Sequence, residues 1–257
     1  MKLPELSTTE FGLIGHPLGH SRSKELFAAR GRSYENFDLP ALTPAALYQL
    51  VLINPRLKGF NVTAPYKEAI IPYLDKLDPT AAAVGAVNTV KIRRAADGRI
   101  LGLDGYNTDF IGFRDSALEF LGDETAGLKA LVLGTGGAAK AVAAVLDSMG
   151  IEYKYVSRSR RDERTISYDD LNVDVMAEYL FIINATPLGT YPAIDEFAPI
   201  PYDAITPQHR CYDLVYNPEE TEFMKRCADR GARVCNGFAM LEGQADAALK
   251  IFENNQL

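Results

Sequence analysis

The stretch KALVLGTGGAAKAVAAVLDSMG, residues 129–150, decides the fold. Its apolar opening, KALVL (129–133), reads as a buried strand. A glycine-rich turn follows, then an amphipathic helix that Gly150 ends. Within the turn, Gly134-Thr135-Gly136-Gly137-Ala138-Ala139 fits the pattern G-x-G-x-x-G/A. The first glycine permits the tight turn. The second lets backbone amides approach a pyrophosphate, and Ala139 is small enough for close helix–strand packing. The helix N-terminus then faces the phosphates. Gly134, Gly136, Gly137 and Ala138 are therefore candidate dinucleotide contacts. The strand–turn–helix–strand context carries more weight than the glycines alone.

The next strand, KYVSR (154–158), bears on which dinucleotide. An NAD site usually ends this strand with an acid that accepts hydrogen bonds from the adenosine ribose. Here Val156 is followed by Ser157-Arg158-Ser159-Arg160-Arg161, with no acid before Asp162. Arginines and hydroxyls suit a 2′-phosphate dianion, and guanidinium also stacks on adenine. The expectation is NADP, with Arg158, flanked by Ser157 and Ser159, as its main reader.

Outward from this unit, strands and helices alternate along the chain. FGLIG (11–15), YENFDL (34–39), GFNVT (59–63), VNTVKIRR (87–94) and RILGL (99–103) read as strands of a first domain. YLFIINAT (179–186), CYDLVY (211–216) and RVCNG (233–237) complete a second. Helices are expected before Arg30, from Thr43-Pro44, from Pro65 through Leu74, from about Thr108 and from about Ala239. This alternation implies an α/β protein with parallel sheets covered on both faces. Two α/β domains with a cleft between them are expected, dividing near residues 104–110. The boundaries are 1–107 for a mainly parallel substrate domain, 108–238 for a Rossmann-type domain and 239–257 for a C-terminal helix.

Composition narrows the class. The 257 residues are 47% hydrophobic and 24% charged, ordinary for a soluble globular chain. A net charge of −7 argues against a dedicated nucleic-acid binder. No stretch approaches eighteen consecutive apolar residues, so no membrane span is expected. Cys211, Cys227 and Cys235 are odd in number and lack a Cys-x-x-Cys spacing, which fits a reducing compartment without a zinc site. The expectation is a cytoplasmic protein without a metal, either monomer or homodimer.

The first domain clusters polar residues at strand ends: Ser21 and Ser23, then Asn61, Thr63 and Lys67, then Asn88 with Thr89. Asp109 lies at the domain junction. In open α/β sheets ligands bind at the carboxyl ends of strands, and this set suits a polyhydroxylated carboxylate. Lys67 would stand in the first turn of a helix, where the macrodipole disfavours a cation. That position hints at a use other than solvation. His16 and His20 read as structural loop residues, and His209, beside an expected surface turn, is given no role.

Eight stretches now match a known pattern in order and spacing: GHPLGHSRS (15–23), NVTAPYK (61–67), GAVNT (85–89), YNTDFIGF (106–113), GTGGAAKA (134–141), INATPLG (183–189), DLVYNP (213–218) and GFAMLEGQA (237–245). In these the sequence resembles the shikimate dehydrogenase family over nearly its whole length. The resemblance implies NADPH-dependent reduction of 3-dehydroshikimate to shikimate on the route to aromatic amino acids. It implies that Ser21 and Ser23 hold the substrate carboxylate, and that Asn61, Thr63, Asn88, Asp109 and Gln244 bind its hydroxyls or carbonyl. Lys67, paired with Asp109, would be the principal catalytic residue. Tyr216 would lie near the substrate, Gly237 and Met240 by the nicotinamide, and Thr186 in the cofactor loop. The C-terminal helix would return to the first domain. The chain departs from the family at Lys24, where proline is common, at Leu26-Phe27-Ala28, where His-Asn is usual, and at Thr190, where methionine is common. Two alternatives are a quinate/shikimate dehydrogenase of dual specificity, against which the missing acid after Val156 argues, and a non-catalytic NADP-binding sensor on the same scaffold.

Overall fold

A computed structural model describes residues 8–18, 22–158 and 162–254. Ser21, His20, Ser159, Arg160 and Arg161 lie outside the described residues. Two compact units result. One runs to Thr108 and resumes at Gln244, and the other is Asp109–Gly243.

The first unit is built from β1 (Phe11–Gly15), α1 (Ser23–Ala29), β2 (Tyr34–Asp38), α2 (Pro44–Ile53), β3 (Gly59–Val62), α3 (Tyr66–Ala69), β4 (Lys76–Leu77), α4 (Pro79–Val84), β5 (Thr89–Arg94) and β6 (Ile100–Tyr106). Its sheet has the order β2-β1-β3-β5-β6-β4. The pairs β1–β2, β1–β3 and β4–β6 are parallel, whereas β5 runs antiparallel to both β3 and β6. The first sheet is thus mainly parallel, as expected, with β5 as its antiparallel member. A turn as short as Ala95–Arg99, closed by Ala95 N–H to Arg99 O with Gly98 at φ +84°, joins only antiparallel neighbours. Ile14, Phe60, Val62, Val87 and Val90 form its core with Leu47 and Leu50 of α2.

The helix expected from Pro65 through Leu74 is a single turn, Tyr66–Ala69, followed by a 3-10 turn at Ile71–Tyr73. Pro72 has no amide hydrogen to continue an α-helix. One turn sums few peptide dipoles, so the macrodipole argument about Lys67 loses its force.

The second unit holds α5 (Thr108–Leu121, begun by the last residue of the first unit), β7 (Lys129–Leu133), α6 (Gly137–Met149), β8 (Glu152–Ser157), β9 (Thr165–Ser167), α7 (Val173–Glu178), β10 (Phe181–Asn184), β11 (Arg210–Asp213), α8 (Glu222–Ala228) and β12 (Arg233–Cys235). Every strand pair is parallel, in the order β12-β11-β10-β7-β8-β9. Read from β9, this is the 3-2-1-4-5-6 order of the Rossmann fold, with the reversal between β7 and β10. Leu131, Val132 and Leu133 of β7 are fully buried, as a strand covered on both faces requires. One face packs Leu131, Ile182 and Cys211 against Phe223 of α8. The other packs Val132 and Ile183 against Val142 and Leu146 of α6 and Phe113 of α5.

The last helix, α9 (Phe238–Glu253), ends in the first unit. Phe252 stacks on Phe11 at 5.0 Å between ring centroids, and Phe27 packs on Tyr34 at 4.5 Å. Gly59 makes this seat possible, because a Cβ there would lie 2.3 Å from the Phe252 ring. Arg30 pairs with Asp246 at 2.6 Å, and Arg32 with Glu253. The family departure at Leu26-Phe27 thus fills a core with aromatic side chains, while Lys24 pairs with Glu35 at the surface.

Candidate functional site

In the first unit the reversal of β5 assembles the polar cluster. Because β5 runs against β3, its first residues lie beside the last of β3, and Asn61 pairs with Thr89. Asn61 and Asn88 are both buried. The Asn61 amide donates both its hydrogens, to Asn88 O at 3.2 Å and to Thr89 Oγ1 at 3.0 Å, while its Oδ1 accepts from the Tyr34 hydroxyl at 2.9 Å. Asn88 is oriented the opposite way. Its Oδ1 accepts from Thr108 N–H at 2.7 Å at the start of α5, and the Thr108 and Thr89 hydroxyls lie 3.2 and 3.1 Å away. Among the described residues the Asn88 Nδ2 hydrogens have no partner. Asn61 can thus only accept from a ligand, and Asn88 can donate.

Thr63 follows β3 and donates its backbone N–H to Ile14 O at 2.9 Å. Lys67 is half-buried in α3, and its carbonyl accepts from Val87 N–H at 2.7 Å, which ties α3 to the segment carrying Asn88. Ser23 is the first residue of α1 and is buried. Gln244 of α9 is 9% exposed. His16 lies beyond β1 with Nδ1 2.8 Å from Asp38 Oδ1, at the surface.

In the second unit the glycine turn has the form its sequence implies. Gly134 has φ +101°, a conformation that favours glycine, and a Cβ on it would stand 3.1 Å from Thr186 Cγ2. Gly136 caps α6 without a side-chain hydrogen bond to the first turn, and a Cβ there would meet nothing within 4 Å. Gly137 and Ala138 are the first residues of α6, and Ala139 is fully buried. The first-turn amides of α6 are thus left for an anion, and the residues fit a dinucleotide pyrophosphate. Arg158 is exposed just past β8, and Ser157 is buried at its end. The first acid beyond, Asp162, commits Oδ1 to its own turn, accepting from Arg164 N–H at 2.8 Å and the Thr165 hydroxyl at 3.0 Å.

Beyond β10, the Thr186 hydroxyl donates to Asn184 Oδ1 at 2.6 Å, so its proton is already engaged. Asn184 in turn donates to Asp213 Oδ1 at 2.9 Å, which also accepts from Val215 N–H at 2.9 Å, while Asp213 Oδ2 accepts from the Thr221 hydroxyl at 2.6 Å. Asp213 is fully buried, and burial pushes its carboxyl up to about 6. This network binds together the two loops that leave β10 and β11. Gly237 is pressed against the second loop: its N–H donates to Val215 O at 3.0 Å, and a Cβ would lie 2.1 Å from Leu214 O. Tyr216 is half-buried after β11. Met240 is 7% exposed and packed in the core with Phe113. Asp109 is buried in the first turn of α5.

The sequence reading missed Tyr34 and Asp213. A tyrosine opening an edge strand carries no signal of its own, whereas an acid inside the apolar run CYDLVY is a visible anomaly. His209, expected beside a surface turn, is fully buried: Nδ1 accepts from Thr206 N–H at 3.0 Å and Nε2 lies 3.0 Å from Met176 O. Among the described residues no group of three or more His, Cys, Asp or Glu could hold a metal ion, and no helix is long and apolar enough to cross a membrane.

Residues 13–90 match the family described as shikimate dehydrogenase substrate binding domain. The chain is 39% identical to a shikimate dehydrogenase (NADP(+)) of Moorella thermoacetica, over 97% of this chain and 90% of the relative. The chain belongs to the shikimate dehydrogenase family. Solved structures of the family superpose accordingly. Shikimate 5-dehydrogenase from Thermus thermophilus, in complex with NADP(H) and shikimate, matches with TM-score 0.76 and 32% identity, covering 95% of this chain and 93% of that one. Quinate dehydrogenase from Corynebacterium glutamicum in complex with NAD matches with TM-score 0.80 and 27% identity, covering 96% and 94%. Both activities thus occur on this fold, and local residues must separate them.

Proposed function

We propose that this chain catalyses the reversible reduction of 3-dehydroshikimate to shikimate with NADPH. The observation that carries the reading is the whole-length likeness to an NADP-dependent shikimate dehydrogenase. The glycine turn with the open first turn of α6 would hold the pyrophosphate, and Arg158 the 2′-phosphate. NADPH supplies the hydride. As charge builds on the substrate carbonyl oxygen, the Lys67 ammonium stabilises it and delivers the proton, and in the reverse direction neutral Lys67 takes the proton from the substrate hydroxyl. Asp109 orients Lys67 and accepts from a neighbouring hydroxyl. Ser21 and Ser23 hold the carboxylate, with Thr63 and Gln244 on the ring hydroxyls. Asn61 serves as acceptor and Asn88 as donor, the roles that their other hydrogen bonds leave them.

A second reading, quinate oxidation with NAD, is favoured by the likeness to the Corynebacterium glutamicum enzyme and opposed by Asp162, whose Oδ1 is engaged in its own turn. Initial rates with shikimate and with quinate, each with NADP+ and NAD+, test the proposal. Shikimate with NADP+ is expected to give the highest kcat/KM. A higher value for quinate with NAD+ would overturn the assignment, and NADPH binding without turnover of either acid would make the protein a sensor.

A further inference from the structure

Thr186 leaves β10 half-buried, with its methyl group against the glycine turn: a Cβ on Gly134 would stand 3.1 Å from Thr186 Cγ2. The strand order reverses between β7 and β10, so the loops that leave these two strands flank the crevice where a dinucleotide lies. The adenosine end belongs over β8, where Arg158 stands, and the other nucleotide over β10 and β11. The Thr186 hydroxyl spends its one hydrogen inward, on Asn184 Oδ1 at 2.6 Å, and takes the Leu188 N–H at 3.4 Å. What it has left for the crevice is a lone pair. Asn184 decides this, because only one orientation of its amide suits both neighbours. Its Oδ1 accepts the Thr186 N–H at 3.1 Å, and its Nδ2 donates to Asp213 Oδ1 at 2.9 Å. Turned over, the amide would set its NH2 against the Thr186 N–H and its oxygen against a carboxylate. The Thr186 hydroxyl would then accept from the amide and send its hydrogen outward. Asp213 is itself fixed. It is fully buried, and it also accepts from Val215 N–H at 2.9 Å and from the Thr221 hydroxyl at 2.6 Å.

We propose that Asp213 is a positioning residue for the cofactor, which through the Asn184 amide holds Thr186 as a hydrogen-bond acceptor for the nicotinamide half of NADP(H). The groups such an acceptor suits are the hydroxyls of the nicotinamide ribose and the carboxamide NH2. A phosphate oxygen needs a donor, and the phosphates fall to the first-turn amides of α6 and to Arg158. The inference rests on the proposed seating of NADP(H) along the glycine turn. It adds which half of the cofactor the loop after β10 reads, and that a buried carboxylate out of reach of solvent sets the polarity of that contact.

The test is calorimetric titration of the full chain with NADP+ and with adenosine 2′,5′-bisphosphate, which carries the 2′-phosphate but no nicotinamide half. Thr186→Val is expected to weaken NADP+ about tenfold, the worth of one hydrogen bond of about 1.4 kcal/mol, and to leave the bisphosphate unchanged. Asp213→Leu removes the acceptor that orients Asn184. It is expected to show the same pattern, and to cost several-fold less in the Thr186→Val background. Asp213→Asn keeps an oxygen for Asn184 and is expected to regain most of the NADP+ affinity that leucine loses. Equal weakening of both ligands, as a merely structural role would give, an unchanged NADP+ affinity, or two losses that simply multiply would overturn the inference. If Asp213→Leu does not fold, Asn184→Ala takes its place in the cycle and the same outcomes decide. A wild-type protein that binds neither ligand would remove the cofactor reading and this inference together. Wild type that binds both, with variants that lack this pattern, removes the inference alone.

Discussion

Asp213→Asn isolates the most heavily buried carboxylate in the second unit. Among the described residues Asp213 has no countercharge, only three hydrogen-bond donors, and burial outweighs them to raise its carboxyl from 3.8 to about 6. The sign follows from linkage. Between those values the folded state holds a proton that the unfolded state has lost, so stability is fully present below pH 3.8 and is lost as pH rises through about 6. The slope is about 1.4 kcal/mol per pH unit. From pH 4.5 to 7.5 the wild type should therefore lose about 2 kcal/mol that the variant does not lose. Asparagine keeps an oxygen for Asn184 and Val215 N–H, and its amide can donate to Thr221 Oγ1, whose own proton then loses its acceptor. The variant should consequently be less stable than wild type at pH 4.5 and equal or more stable at pH 7.5. Urea unfolding of both proteins at a series of pH values, followed by circular dichroism, gives the difference curve in which other titrations cancel. A pH-independent difference, or a variant that is weakest at pH 7.5, would refute the argument that an ionised, uncompensated Asp213 is what the neutral-pH fold tolerates.

Three further substitutions address the proposed chemistry. Lys67→Ala should lower kcat by about 10²–10⁴ with little change in KM, the loss of a proton donor and charge stabiliser; an effect confined to KM would assign the lysine to binding alone. Arg158→Ala should raise the KM for NADP+ by about ten- to a hundredfold, as for a charged hydrogen bond, and leave NAD+ kinetics unchanged; equal losses for both cofactors would remove the 2′-phosphate contact. Gly237→Ala puts a Cβ 2.1 Å from Leu214 O, so the loop after β11 must move. A fall in unfolding free energy of about 1–3 kcal/mol is expected, together with weaker NADP+ binding by calorimetry, and unchanged values would mean the loop is pliant.

The second sheet was legible because its signals are local. A continuous apolar β7, a glycine at φ +101° and a helix closed by Gly150 at φ +70° lie within 22 residues, and parallel winding follows from alternation. Short elements were not read. The strand β9 has three residues, and α7 has six, too few to display a helical period. α4 also has six residues, although Asp78, Pro79 and Gly85 punctuate it as cap, first turn and stop. The helix at Lys67 failed for a different reason: Pro72 stands in plain sight, and the apolar run Ala69-Ile70-Ile71 outweighed it. That error matters, because the macrodipole argument depended on a helix longer than the four residues present.

The substrate half of the site marks a different limit. Sequence motifs named Ser23, Asn61 and Asn88, yet residue type alone leaves an asparagine equally able to donate or accept. The choice is made by neighbours that are distant in the chain. The Thr108 amide takes Asn88 Oδ1 from 20 residues away, and Tyr34 reaches Asn61 across 27. Tyr34 reaches Asn61 across β1, which pairs in parallel with both β2 and β3, whereas Asn88 is brought beside Asn61 because β5 runs antiparallel to β3. The two amides are therefore presented with opposite polarity by neighbours on different strands, so removing either neighbour should disturb ligand selectivity as well as folding. The motif names the groups, and the neighbouring strands dictate what each can still bond.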